Sequence, residues 1–391
     1  MQKILVHWRG VVYAFCALKL LAMTALPIGG PGGDFGNWTF EASSVLQTIL
    51  QGKLPTLSTY GVYIGIEIIL APFFWFWTIL PVEHPNLMNI TAYQHTLPAV
   101  SLGVMMRTPI LLFDIATLIL LMRVVRFLTS SEEKSILAGL TWFVNPFNFY
   151  MLYFFGAMDI IPTALFLLAI HFELEGRCFR SGVSTVVSGL LRLFAFVAYP
   201  FFIPVVKTRS SRAIFIAGSL VPIVITICVI YLSRDTLAAV FNIPAEQSWL
   251  LEFLGWNVLG SEFIRLSPVL VLLQLYVVTR FWKQDANVVH LASVSLLALA
   301  LGATLYGGEA QHFLWVSPLL SACVAMRLED SWIFILTFFT ALMAPTVNPF
   351  YQWTPEPILV DTFLAGAFYA MKALYLLKLN LANLNLPKAA D

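Results

Sequence analysis

The residues best suited to chemistry sit in the chain's first polar break. Asp34 stands among glycines at positions 29, 30, 32, 33 and 36. Those glycines let the backbone turn sharply and approach a ligand closely. A carboxylate in such a loop suits a general base that takes a proton from an attacking hydroxyl. The competing reading is a solvated turn whose Asp bonds its own backbone. Glu41, seven positions on, either flanks the same site or favours the positive end of a helix starting near Trp38.

Four more groups carry chemistry-bearing side chains. Arg107 precedes an apolar stretch with Asp114 inside it. A guanidinium there either grips a lipid phosphate bidentately or reaches for the membrane surface. An acid within an apolar helix costs roughly 2.5–3.5 kcal/mol on insertion scales, so Asp114 needs a partner. Asn145-Pro146 breaks a helix, and Asp159 follows at the mouth of the next apolar run. Asp159 either holds a sugar hydroxyl or interacts with its helix dipole. Arg192 lies within an apolar segment and needs an anion, either a phosphate head group or a carboxylate such as Asp114 or Glu67. Glu309, Gln311 and His312 converge at the start of a late run. They suit acceptor or phosphate binding, or a structural hydrogen bond. No metal-ligand spacing occurs, and Cys16, Cys178, Cys228 and Cys323 suit neither zinc nor disulfides.

The elements that must position these groups are apolar helices. Hydrophobic residues make up 59% of the chain and charged residues 11%. A soluble domain carries about twice that charged fraction. Runs near twenty residues recur at 11–26, 60–80, 107–128, 136–153, 157–172, 183–206, 213–232, 266–281, 288–306, 313–325, 332–344 and 358–377. The expected fold is all-α, a polytopic transmembrane bundle of about 10–12 segments over residues 1–391, with juxtamembrane helices in a first outer loop at 27–106.

The positive-inside bias sets the orientation. Lys3 and Arg9 place the N-terminus inside and Asp34 outside. Keeping Arg123, Arg126 and Lys134 inside requires two adjustments. Residues 60–80, with Pro72 and the aromatic cluster 73–77, become a re-entrant or surface helix. Residues 183–206 become a broken hairpin that returns inside, as Pro200 and Pro204 allow. The acids then gather on the outer face and the basic residues on the inner one. Nucleic acid is excluded as a partner, since no basic patch exists. Two sequons, at Asn37 and Asn89, fall on the outer loop.

In this order and spacing the chain resembles the GT-C glycosyltransferases, and most of all the GPI mannosyltransferase I catalytic subunits and related prokaryotic mannosyltransferases. The matching residues are the acidic first loop leading to Gly52-Lys53-Leu54-Pro55, then Arg107 with Asp114, and Trp142-x-x-Asn145-Pro146 followed by Gly156-x-x-Asp159. Arg192 with Tyr199-Pro200 and Gln311-x-Phe313-x-Trp315 complete the set. A single Asp34 with Glu41 stands where the family often has an Asp-x-Asp-like arrangement.

The resemblance implies an enzyme of the cell or endoplasmic reticulum membrane with its site facing outside or the lumen. It would move a hexose, most simply mannose, from a polyprenyl- or dolichyl-phosphate donor to a glycan, lipid or protein acceptor. It implies Asp34 as catalytic base, and Arg192 or Arg107 on the donor phosphate. A divalent cation and an accessory subunit stay open. The alternatives are a multi-span transporter or lipid flippase, with Asp114 and Arg192 on the path, and a non-catalytic subunit.

Overall fold

A computed structural model describes residues 7–26, 35–52, 65–82, 96–192, 195–196, 198–199, 202, 206, 208–232, 314–315 and 317–326. Within them every regular element is helical, as expected for an all-α chain. The helices are α1 (Trp8–Ala25), α2 (Phe35–Leu50), α3 (Ile66–Thr78), α4 (Leu97–Thr129), α5 (Glu132–Phe143) and α6 (Pro146–Phe149). α6 runs on as a π-helical turn (Tyr150–Phe155). Then follow α7 (Ile160–Leu174), α8 (Cys178–Leu191), α9 (Arg209–Leu232) and α10 (Ser317–Met326). The runs expected at 266–281, 288–306, 332–344 and 358–377 lie outside the described residues.

Among the described residues, two helices are long and apolar enough to cross a membrane, Trp8–Ala25 and Arg209–Cys228. Both leave most of their side chains unburied, with Leu18, Leu20 and Leu21 exposed on α1 and Leu220, Val224 and Ile227 on α9. α3 has 13 residues and is therefore about 20 Å long. That falls short of a bilayer's hydrocarbon core of about 30 Å.

α4 begins at Leu97, well before the expected start at Arg107, so Arg107 is inside the helix. Pro98 is tolerated there because the first-turn N–H groups have no helical partner anyway. Ser130, in the left-handed region at φ 52°, ends α4, and the chain reverses into α5. The expected helix over 136–153 is divided. Asn145 caps α6 by accepting from the Phe147 N–H at 2.9 Å, and Pro146 takes the first helical position. Asn148 Nδ2 donates back to the Trp142 carbonyl at 3.0 Å. The backbone groups freed by the break are thus satisfied by two asparagines.

α5, α6 and the π turn run back along α4, so that Trp142 and Tyr153 both reach Asp114. α7 returns, and α8 comes back alongside it. The break expected at Pro200 falls earlier, at Arg192, which is extended at φ −153° and ψ 123°. Beyond it Phe202 packs on Phe166 of α7 and Phe215 of α9, with centroids 5.8 and 5.7 Å apart. Phe202 therefore lies alongside both α7 and α9. α8 and α9 cross closely through glycines. A Cβ at Gly182 would lie 2.2 Å from the Phe215 carbonyl oxygen, and one at Gly218 2.2 Å from that of Phe179. Small residues at such a crossing let backbones approach.

The two ends of this bundle differ in charge. At one end Lys134 Nζ donates to the carbonyl of Met326, the last residue of α10, at 3.3 Å. Arg177 pairs there with Glu175 at 3.2 Å. The other end collects Glu41, Glu67, Asp159 and Arg192.

Candidate functional site

The ends of five helices build the site. Asp159 precedes α7, Arg192 follows α8, Trp315 precedes α10, Trp38 and Glu41 lie near the start of α2, and Glu67 is in the first turn of α3. Asp159 is fully buried and makes no capping bond to its own helix. Its carboxylate accepts from Trp315 Nε1 at 2.9 Å and pairs with Arg192, Nε to Oδ1 at 2.9 Å. Arg192 Nη2 adds a longer hydrogen bond to Oδ2 at 3.4 Å. The Arg192 guanidinium also lies 5.9 Å from the centre of the Trp38 ring. A cation over an indole face is attracted by the ring quadrupole.

Below Trp38 two acids face each other. Glu41 and Glu67 are both buried, at 9% and 2% exposure, and their carboxyl groups are close enough to share a hydrogen bond. Neither oxygen of Glu67 receives a hydrogen bond from a standing protein donor. These facts agree only if one acid carries a proton, because two carboxylates have no donor between them. Burial pushes Glu67 up to about 9, the Glu41 carboxyl adds to it, and Arg192 opposes both. Burial also raises Glu41, while the bond to Glu67 and the charge of Arg192 pull it down. Both acids lie on helices outside the two candidate crossings. The indole Nε1 of Trp38, one helical turn from Glu41, is buried without a hydrogen-bond partner.

The expected site residues fare unevenly. Glu41, Asp159 and Arg192 come together. Asp34 is the residue just before α2 but lies outside the described residues, as do Glu309, Gln311 and His312. Arg107 is elsewhere. It is fully buried, and its guanidinium donates to the carbonyls of Leu26 at 3.0 Å, Met23 at 3.4 Å and Tyr153 at 3.1 Å. It ties the end of α1 to α4 and the π turn. Asp114 pairs with Lys19 at 2.6 Å, not with Arg192.

Four participants, Trp315, Trp38, Glu67 and Lys19, are not among the site residues expected from the sequence. Trp315 stood in a quoted motif with no role assigned, and Trp38 served only to mark a helix start. Glu67 figured as a possible partner of Arg192, not of Glu41. Lys19 lies inside the first apolar run, at 11–26. A search for opposite charges in separate apolar runs would have paired Lys19 with Asp114. No rule of spacing joins Glu41 to Glu67, because no sequence pattern says which faces of their two helices meet.

A titratable cluster holding one cation, a proton-sharing acid pair and two indole donors can bind hydroxyl groups and move protons. Among the described residues no group of three or more His, Cys, Asp or Glu side chains is arranged to hold a metal ion. Compared with known protein families, with characterised proteins and with solved structures, the chain matches none.

Proposed function

We propose that this chain is a multi-pass membrane glycosyltransferase that moves a hexose from a polyprenyl-phosphate donor to an acceptor hydroxyl at the outer face. The single observation that carries the reading is the buried Asp159–Arg192–Trp315 constellation at the head of α2, with Glu41 and Glu67 beside it. The resemblance in motif order supports it, because Asp159, Arg192 and Trp315 belong to three separately matching segments of the sequence. In this reading α3 lies at the outer surface as a wall of the site. The charge difference between the bundle ends fits an outer site and a basic inner end.

The reaction is one displacement at the sugar C1. Asp34, one residue before α2, takes the proton of the acceptor hydroxyl as that oxygen attacks. The C1–oxygen bond to the phosphate breaks, and the phosphate leaves with the bonding pair. Arg192 is the cation at the site and offsets the charge on the leaving group. Arg107 serves as a positioning residue, since carbonyl oxygens hold its guanidinium.

The test uses the purified full chain, a radiolabelled polyprenyl-phosphate hexose and a lipid extract. Wild type is expected to transfer label, and Asp34→Ala to lose at least about 100-fold, within the usual range for a general base. Transfer that survives Asp34→Ala would remove Asp34 as the base. Absence of transfer from every polyprenyl donor, with donor crossing liposomes in the same preparation, would replace the enzyme with a flippase.

A further inference from the structure

We propose that Glu41, Glu67 and Trp38 form a subsite for an uncharged polyol, the hydroxyl face of a sugar ring. The inference rests on the transferase reading for the meaning of that sugar, though its test does not.

The argument begins from what the site leaves unmade. Buried polar groups are ordinarily hydrogen-bonded, and each exception in a native fold needs an occupant or a cost. Here the exceptions are of complementary kinds. One Glu67 oxygen is engaged through the proton shared with Glu41, the other is an acceptor without a protein donor, and Trp38 Nε1 is a donor without an acceptor. Glu67 is 2% exposed and Trp38 6%. A hydroxyl group can donate to that acceptor and accept from the indole, and a sugar ring carries several in a row. A hydrocarbon satisfies neither kind, and an anion satisfies only the indole.

Charge narrows the ligand further. Asp159 and Arg192 compensate each other as a buried pair at 2.9 Å. Glu41 and Glu67 share a proton and keep one negative charge between them. Among the described residues, the groups facing the acid pair are thus Arg192, already paired, and the Trp38 ring. That environment disfavours a phosphate at the acids and accepts a neutral ring. The apolar body of Trp38 adds a flat surface on which sugar C–H groups can rest, as amphipathic aromatics do in polar pockets.

Binding is measured on the full chain in detergent by saturation-transfer NMR with methyl α-D-mannopyranoside. Glucosamine is run beside it, inorganic phosphate, which has no carbon-bound proton to observe, is added as a competitor of the glycoside signal, and no polyprenyl donor is present. The neutral glycoside is expected to bind, and to lose roughly 3- to 10-fold in affinity in Trp38→Phe, the worth of one hydrogen bond. Glu67→Gln is expected to lose a similar factor with thermal stability no lower than that of wild type. Phosphate binding in preference to the glycoside, preference for the ammonium sugar, absence of glycoside binding, or unchanged affinity in both variants would each overturn the subsite. Glycoside binding without any sugar transfer would sink the transferase and leave the subsite standing. Transfer with a KM unmoved by Trp38→Phe would do the reverse.

Discussion

Two buried charge clusters share this bundle, and they are built on opposite principles. Around Asp114 every partner is present. Lys19 Nζ lies 2.6 Å from Oδ2, Tyr153 OH donates to the same oxygen at 3.0 Å, and Trp142 Nε1 donates to Oδ1 at 2.9 Å. The Lys19 ammonium also sits 3.3 Å from the centre of the Phe143 ring. Around Asp159 the partners are fewer and the neighbours incomplete. Glu67 and Trp38 have polar atoms that no standing protein group satisfies. A closed network rigidifies, whereas an open one waits for a ligand. The first cluster joins α1, α4, α5 and the π turn, and the second lies where five segments end.

The largest expected effect breaks the closed cluster. Lys19→Met leaves the Asp114 carboxylate buried without a counter-ion, which costs about 3–5 kcal/mol. The double variant Lys19→Met/Asp114→Asn should recover most of it, since Asn keeps an acceptor for Trp142 and a donor for Tyr153. Denaturant unfolding of the four proteins in mild detergent gives the cycle. A double variant as unstable as Lys19→Met would mean that the ion pair is not what holds these helices.

A second variant moves the open cluster and spares the closed one. Leucine at Gly182 must displace the Phe215 carbonyl, so α8 shifts, and with it Arg192 at its end. Overpacking of this kind costs about 1–3 kcal/mol. Sugar transfer is expected to fall well beyond what the loss of folded protein explains. Combined with Lys19→Met, the stability effects should add to within about 0.5 kcal/mol, because the two sites share no partner. Strong non-additivity would show that the clusters form one unit.

The open cluster also predicts the sign of a pH dependence. Glu67 holds its proton in the fold up to about 9, whereas in the unfolded chain it lets go near its ordinary 4.5. Between those values the folded state binds more protons than the unfolded one, so stability falls as pH rises. The slope reaches at most about 1.4 kcal/mol per pH unit. Glu67→Gln should flatten the profile of melting temperature against pH in that window. A profile that keeps its wild-type slope would place the shared proton elsewhere.

The closed cluster was half legible in the sequence and the open one scarcely. An acid in an apolar run demands a partner, and that rule correctly makes Asp114 an inter-helix contact. It does not say which cation answers, and Lys19 is 95 residues away. A return of the chain within 183–206 is read from charge, because only a returning chain keeps Arg177, Arg180 and Arg209 at one end. Its breaking point is not, because Arg192 takes the extended conformation to meet Asp159 while the prolines follow later. Arg107 reads from the sequence as a phosphate ligand or as a cation reaching for the membrane surface. Only its position inside α4, beside the last carbonyls of α1, makes backbone its partner. Orphaned atoms such as Trp38 Nε1 are invisible in any sequence, because they are defined by what packing fails to supply.

The smallest expected effect concerns how the open cluster is held from afar. α10 brings Trp315 to Asp159 at one end and is fastened at the other by Lys134, whose Nζ donates to the Met326 carbonyl at 3.3 Å. Lys134→Met removes that bond and leaves a helix-terminal carbonyl to water, at a cost of about 0.5–1.5 kcal/mol. If α10 is a rigid strut, the loss should travel along it and weaken the Trp315 bond, so transfer falls by a few-fold with little change in melting temperature. Lys134→Arg should restore it, since a guanidinium reaches the same carbonyl. If Ser317, which donates to Asn148 at 3.0 Å, already anchors the near end, activity will not respond to position 134 at all. The Lys19 variants should be indifferent to this change in either case, because α10 supplies nothing to the Asp114 network. A response of that network to Lys134→Met would therefore break the separation between the two clusters.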